Sequence, residues 1–351
     1  MKYMISELHA GHMPRLTAGA DSSGSGADAA AAWERRRADI EAVWQEYMGF
    51  VPESVDPDPE VLETVREADH VRIHLRYATG FGDKVTAYLL IPGDDPAPAR
   101  KLPAVLALHP THASGKADVA SSAARANRAY GLELAARGYV VLAPDTIAAG
   151  ERIYEGEEAF RTAPFYAAHP ASTAIGKMLH DHRQSLDVLS ALPFVDAARI
   201  GAIGHSLGGY NAYFLAGADR RVKAVVSSCG FATFAGDPDP NRWGQRDWFS
   251  HLPRISECLA SGCVPFEYHE IAALAAPTPF FNWNGMSDRI FPHWRPAAEA
   301  LGELGALYRA LGAEERLEYL FGSAGHDFPP SIREAAYLFL DRWLNREGRQ
   351  R

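Results

Sequence analysis

The sequence predicts an α/β protein whose mostly parallel central sheet is flanked by helices. From Pro103 onward, short apolar runs recur between turn residues: "PAVLALHP", "YVVLAPD", "RIGAIG", "VKAVVSS", "PFFNWN" and "RLEYLFG". Continuous apolar runs of this length read as strands buried on both faces. They alternate with longer segments of helical period, and such alternation builds a parallel sheet with crossover helices. Ahead of them, Val71, Ile73, Leu75 and Tyr77 alternate with polar residues, "TGFGD" turns the chain and "KVTAYLLIP" returns. That pattern predicts an antiparallel hairpin at the N-terminal side of the sheet.

Taken in order, residues 1–32 end in "TAGADSSGSGADAAAA", which has no hydrophobic period and reads as a flexible leader. Within 33–69, Ile40, Val43, Trp44, Tyr47 and Met48 recur at helical spacing before the stop at Gly49. This amphipathic helix is expected to pack on the core or on a second copy of the chain, as a homodimer contact. The main domain follows over 70–346. Its helices are expected in "ANRAYGLELAARG", "TAIGKMLHDHRQSLDVLSAL", "SLGGYNAYFLAG", "WRPAAEALGELGALYRALG" and "SIREAAYLFLDRWLN". Two connections, about 146–172 and 231–270, exceed ordinary loop length, and such insertions on an α/β core usually serve as lids or binding loops. The second carries Trp243, Trp248, Phe249 and Phe266, so it is expected to fold onto the core.

Composition narrows the function classes. A chain of 351 residues that is 47% hydrophobic can bury a large core. A formal charge of -9, with no basic cluster longer than Arg35, Arg36 and Arg37, argues against a nucleic-acid surface. No apolar run approaches the roughly 20 residues of a membrane span. The first residues lack the apolar stretch and cleavage site of a secretory signal, so a cytoplasmic location is expected. Cys229, Cys258 and Cys263 form no C-x-x-C, and neither a disulfide framework nor a zinc site is indicated. Cys258 and Cys263 remain one candidate bridge for an exported protein. His109 and His112 lack an acidic ligand pattern, and His180 and His182, two apart on a helix, do not face one site. His182 shares an apolar stripe and reads as a core histidine. No metal and no cofactor are expected.

The chemistry centres on "RIGAIGHSLGGYNAYFLAG", which sets Ser206 on a strand-to-helix turn. Gly204 and Gly208 supply the missing side chains that so tight a turn requires. The turn lifts the Ser206 hydroxyl above the carboxyl edge of the sheet, where open α/β sheets bind ligands. A serine hydroxyl is a weak nucleophile until a base takes its proton, and that base needs a third group to orient it. His326 in "FGSAGHDFPP" and Asp288 in "NGMSDRIFP" follow strands that end on the same edge. Asp327 and Asp145 also fall near strand ends. Asp327 adjoins the histidine and is badly placed to bond its ring, and Asp145 fits better as a loop brace.

The segments "GHSLGG", "GMSDRIFP", "GHDFP" and "LALHPTHASGK", with the order Ser, Asp, His, resemble serine hydrolases of the α/β-hydrolase superfamily. The nearest branch is that of dienelactone-hydrolase-like and acetyl-xylan-esterase-like proteins, and the resemblance runs from about Val71 to Leu344. It implies the α/β-hydrolase fold and ester hydrolysis through an acyl-enzyme, with Ser206, His326 and Asp288 as catalytic residues. One departure matters: dienelactone hydrolases proper use a cysteine nucleophile, so their lactone substrate does not carry over to Ser206. The resemblance also implies an oxyanion hole made by the Leu207 amide and a donor after "PAVLALHP". Where the superfamily has His-Gly, this chain has His109-Pro110-Thr111; Pro110 has no N–H, so Thr111 is the expected donor. The expected partner is a small-molecule ester, with His109, Arg152, Trp243 and Trp248 as candidate substrate-binding residues. An amidase or peptidase on the same residues, and a non-catalytic binding protein of the same fold, are the competing readings.

Overall fold

Residues 2–17 and 26–345 are described by the computed structural model. The chain starts with a short strand, β1 (Tyr3–Met4), helix α1 (Ile5–His9) and the long helix α2 (Gly26–Met48). Three antiparallel strands follow, β2 (Glu60–Arg66), β3 (His70–Ala78) and β4 (Lys84–Pro92). Strand and helix then alternate through β5 (Leu102–Leu108), α3 (Ala117–Ala120), α4 (Tyr130–Ala136), β6 (Val140–Pro144), α5 (Ala163–Ala168) and α6 (Ala174–Ala191). Next come β7 (Val195–His205), α7 (Leu207–Ala218) and β8 (Val222–Ser228). The second long connection contains α8 (Arg254–Ala260), β9 (Cys263–Val264) and α9 (Tyr268–Ala273). The last elements are β10 (Phe280–Gly285), α10 (Trp294–Ala310), β11 (Leu317–Gly322) and α11 (Pro330–Leu344).

Nine strands form one sheet in the order β11-β10-β8-β7-β5-β6-β4-β3-β2. The pairings from β11 to β6 are parallel, and β4, β3 and β2 continue the sheet antiparallel. Alternation along β5 shows how the core is built. Leu102, Ala104, Leu106 and Leu108 enter one apolar cluster with residues of α2, α6, α7 and α10, whereas Val105 and Ala107 enter another with residues of α4 and α11. Side chains alternate across a strand, so the sheet is covered on both faces and its strands β5 and β6 are apolar throughout. No helix among the described residues is long and apolar enough to cross a membrane.

The N-terminal side departs from the sequence reading. The expected flexible leader over 1–32 is folded where it is described: β1 pairs with β9, and Leu8 and Leu16 are buried. A backbone partner and two buried leucines hold this segment down, and α2 already begins at Gly26 in an alanine-rich stretch that favours helix. Residues 1 and 18–25 of that leader lie outside the described residues. The segment 33–69 is not wholly helical, because β2 extends the sheet. Val61 and Leu62 are both exposed there, so no buried face leaves a period in the sequence. The stripe of α2 docks on the core of its own chain, with Trp44 against Phe214 and Phe266 at ring-centroid distances of 4.9 and 5.3 Å. All three cysteines are free.

The two insertions pack on each other. Trp248 Nε1 donates to the Ala159 carbonyl at 3.1 Å, the Tyr166 hydroxyl donates to the Ser250 carbonyl at 3.1 Å, and Phe160 packs on Phe249. Beneath the first insertion, the buried Asp145 carboxylate accepts from the Lys116 amide and Thr86 hydroxyl, both at 2.8 Å, and pairs with the Lys116 ammonium at 2.6 Å. Lys116 also pairs with Glu151. This carboxylate ties the loops after β5 and β6 together.

Asp145→Ala leaves a buried ammonium with only a half-exposed partner, and it is expected to cost roughly 3 kcal/mol or more of stability, measured by urea denaturation. A second expectation concerns pH. Burial pushes His182 and His251 down to about 3 and His269 down to about 4. The unfolded chain takes up protons at these groups below about 6.5, whereas the folded chain does not, so their contribution is intact above that pH and lost as the pH falls. Glu267, raised to about 7 by burial, and Glu270, raised for the same reason, act in the opposite sense, but burial also lowers His109, His180, His205 and His293, so the histidines outnumber them. The thermal midpoint is therefore expected to fall between about pH 7 and about pH 5; a flat profile would contradict it.

Candidate active site

Ser206 occupies the turn between β7 and α7 with φ 55° and ψ −118°, a conformation in which a non-glycine residue is strained. Glycines on either side make it attainable. A Cβ at Gly204 would lie 2.1 Å from the Gly208 carbonyl carbon, and one at Gly208 would lie 1.9 Å from the Leu108 oxygen. The Ser206 amide donates to the Ser228 carbonyl at 2.7 Å, and the Tyr210 amide donates to the Ser206 carbonyl at 3.1 Å. The turn is thus clamped between β8 and α7. Ser206, Thr111 and His326 line one cavity of about 400 Å³.

His326 Nδ1 lies 2.6 Å from Asp288 Oδ2. The other oxygen of Asp288 accepts from the Ile290 and Phe291 amides at 2.7 and 3.0 Å. Burial alone would raise this carboxyl, but the His326 hydrogen bond, the imidazole charge and the two amides outweigh it and hold Asp288 below its ordinary value. An ionised Asp288 requires Nδ1 to carry the proton, which leaves Nε2 as the basic nitrogen. Burial and the neighbouring His326 hold His205 well below its ordinary value. It stays neutral, with Nδ1 2.9 Å from the Ser228 hydroxyl, and adds no positive charge beside His326. Cys229, Asp288 and His326 bring donor atoms within 4.8 Å of one another. Burial and Asp288 push the Cys229 thiol up to about 12, so it is a neutral thiol beside the Asp288–His326 pair.

The other sequence candidates separate. Trp243 and Trp248 line the cavity with Ser206. His109 and Arg152 do not: each is buried in its own hydrogen-bonding network. His109 Nε2 accepts from the Thr146 amide at 3.0 Å and Nδ1 donates to the Pro110 carbonyl at 2.8 Å, which braces the loop leading to Thr111. The Arg152 guanidinium is enclosed by Asp83 and Asp181 at 2.7 and 2.9 Å, the pairing that a buried cation requires. Asp327 pairs with Arg128 at 2.8 Å, and Asp145 with Lys116; neither bonds the His326 ring. The Leu207 amide opens α7 directly after Ser206. The sequence reading missed Tyr210, Arg242, Arg246, His251, Ile290 and Phe291, which also line the cavity. Tyr210 was accessible to it, one helical turn beyond Ser206 on the same face.

Comparison with known proteins adds scale. Residues 95–242 match the dienelactone hydrolase family and residues 175–346 match the prolyl oligopeptidase family. YtaP of Bacillus subtilis is 27% identical over 307 residues, covering 85% of this chain and 96% of that protein. A glucuronoyl esterase from Solibacter usitatus superposes with a TM-score of 0.68 at 18% identity, covering 89% of this chain and 93% of its own. A promiscuous CE15 esterase from a marine bacterial metagenome gives 0.70 at 15% identity, covering 94% and 96%. Acetyl xylan esterase 1 from Thermoanaerobacterium gives 0.57 at 16% identity, covering 88% and 98%. The two family matches overlap on the segment that carries Ser206, and the structural likenesses extend the same fold on either side of it. The chain therefore has the α/β-hydrolase fold, and within it residues 95–242 and 175–346 are similar to two families of hydrolases, dienelactone hydrolases and prolyl oligopeptidases.

Proposed function

We propose that the chain hydrolyses a carboxylic ester through an acyl-enzyme formed on Ser206. One observation carries the reading: His326, bonded through Nδ1 to the ionised Asp288 at 2.6 Å, shares a cavity with the strained Ser206 and with Thr111. In this mechanism Ser206 Oγ attacks the ester carbonyl while His326 Nε2 takes its proton. Asp288 holds the imidazole tautomer and stabilises the imidazolium. The Leu207 and Thr111 amides receive the negative charge that develops on the carbonyl oxygen. His326 then protonates the departing alcohol, and a water activated by the same nitrogen releases the acid. No step needs a cofactor.

The likeness to glucuronoyl and acetyl xylan esterases favours an ester over an amide, and a cavity of about 400 Å³ fits a small-molecule ester. The match to the prolyl oligopeptidase family over 175–346 favours a second reading, amide hydrolysis by the same residues. Turnover of matched 4-nitrophenyl esters and 4-nitroanilides ranks the two.

A fluorophosphonate probe is expected to label the wild-type chain and to leave Ser206→Ala unlabelled; an unlabelled wild type, or equal labelling of both, removes the nucleophile assignment. Asp288→Asn keeps an acceptor for the Ile290 and Phe291 amides but turns an N–H toward His326 Nδ1, which favours the wrong tautomer. Turnover is expected to fall about a thousandfold or more while the thermal midpoint changes little. Near-normal turnover would transfer the acid's role elsewhere.

A further inference from the structure

Two arginines of the second insertion, Arg242 and Arg246, line the cavity that contains Ser206, and their surroundings differ. Arg242 is fully engaged. Its Nε and Nη2 each donate at 2.9 Å to the buried Asp237, its Nη1 donates at 2.7 Å to the Ile290 carbonyl, and it lies 5.3 Å over the Phe291 ring. Asp237 neutralises it, and it works as a staple between the insertion and the loop that carries Asp288.

Arg246 has no carboxylate partner among the described residues. Its guanidinium lies 5.3 Å over the Trp248 ring and makes one hydrogen bond, 3.3 Å from Nη1 to the Arg242 carbonyl. The local backbone is held without it, because the Arg246 amide and carbonyl both bond the Ser250 hydroxyl at 2.8 Å. Arg246 also lines a neighbouring hollow of about 740 Å³, so it borders both the cavity of Ser206 and a second space. Asp239 lines the first space and Asp247 the second, and neither pairs with Arg246. A guanidinium held against an indole face, with its remaining N–H groups free, is oriented and weakly hydrated, the condition for binding a carboxylate through two parallel hydrogen bonds.

We propose that Arg246 binds a carboxylate carried by the ester substrate away from the bond that is cleaved, which makes the enzyme selective for anionic esters. The inference rests on the hydrolase reading above. The carboxylate belongs either to the acyl part or to the alcohol part, and two substrate pairs separate these cases. The acyl pair is 4-nitrophenyl acetate with 4-nitrophenyl hemisuccinate; the alcohol pair is phenyl acetate with 4-acetoxybenzoate.

In one pair, the ratio of kcat/KM for the anionic to the neutral ester is expected to exceed one in the wild type and to drop about tenfold in Arg246→Gln, mainly through KM. Arg246→Lys retains the charge without the fork and is expected to fall between the two. Added salt lowers the wild-type ratio and leaves that of Arg246→Gln unchanged. A ratio in both pairs that stays within about twofold on substitution overturns the inference while leaving ester hydrolysis intact. A wild type that turns over none of the four esters and takes no fluorophosphonate label overturns the hydrolase reading itself, and this inference with it.

Discussion

The approach of the β7–α7 turn to the end of β5 governs the carboxyl edge of this molecule. With Gly208 only 1.9 Å, in Cβ terms, from the Leu108 oxygen, the backbone that carries Ser206 rests directly on the strand that leads to His109, Pro110 and Thr111. Neither segment can move away without losing sheet pairing, because β5 and β7 are hydrogen-bonded neighbours whose residues match up to Leu108 and Gly204. Ser206 and the loop of Thr111 are therefore positioned by one contact between two paired strands. The positive φ of Ser206 is sustained because the structure on both sides over-determines it.

Around that contact the polar groups fall into two sets that do not mix. Asp145, Lys116, Arg152, Asp181 and Lys177 form buried ion pairs under the first insertion, with the exposed Asp83 closing the network at its rim. Asp288, His326, His205 and Cys229 gather on the other side, where the imidazole of His205 and the thiol of Cys229 are both neutral. Among the described residues the His326 ring thus has one charged hydrogen-bond partner, Asp288, while Arg128 bonds only its backbone carbonyl, and the ring's tautomer follows from the Asp288 bond.

Much of this was legible because burial on both faces writes a strand as an apolar run. The runs ending near Leu108, His205, Gly285 and Gly322 marked the strand ends, and Ser206, Asp288 and His326 could be read as sharing an edge. What was not legible lacked a period. β2 has an exposed face on either side, and β1 is two residues whose partner, β9, lies some 260 positions away. Arg242 and Arg246 sit in an irregular insertion whose fold depends on contacts with Phe160 and Ala159, far away in sequence. His109 and Arg152 were assigned to the cavity because a polar residue beside a strand end looks the same in sequence whether it faces a ligand or is enclosed by Asp83, Asp181 or a neighbouring amide.

The strand β2 also bears on how copies of this chain can meet. It is the outer strand on its side of the sheet, and an outer strand offers unpaired backbone groups to any other extended segment. Here its register is broken between Val61 and Glu63, and Glu60, Glu63 and Arg66 add charge along a stretch of seven residues. The kink and the charges discourage a second strand from docking. Growth of the sheet from molecule to molecule is disfavoured at this margin, which protects a wide, strongly apolar sheet from fibre-like aggregation while Val61 and Leu62 remain exposed.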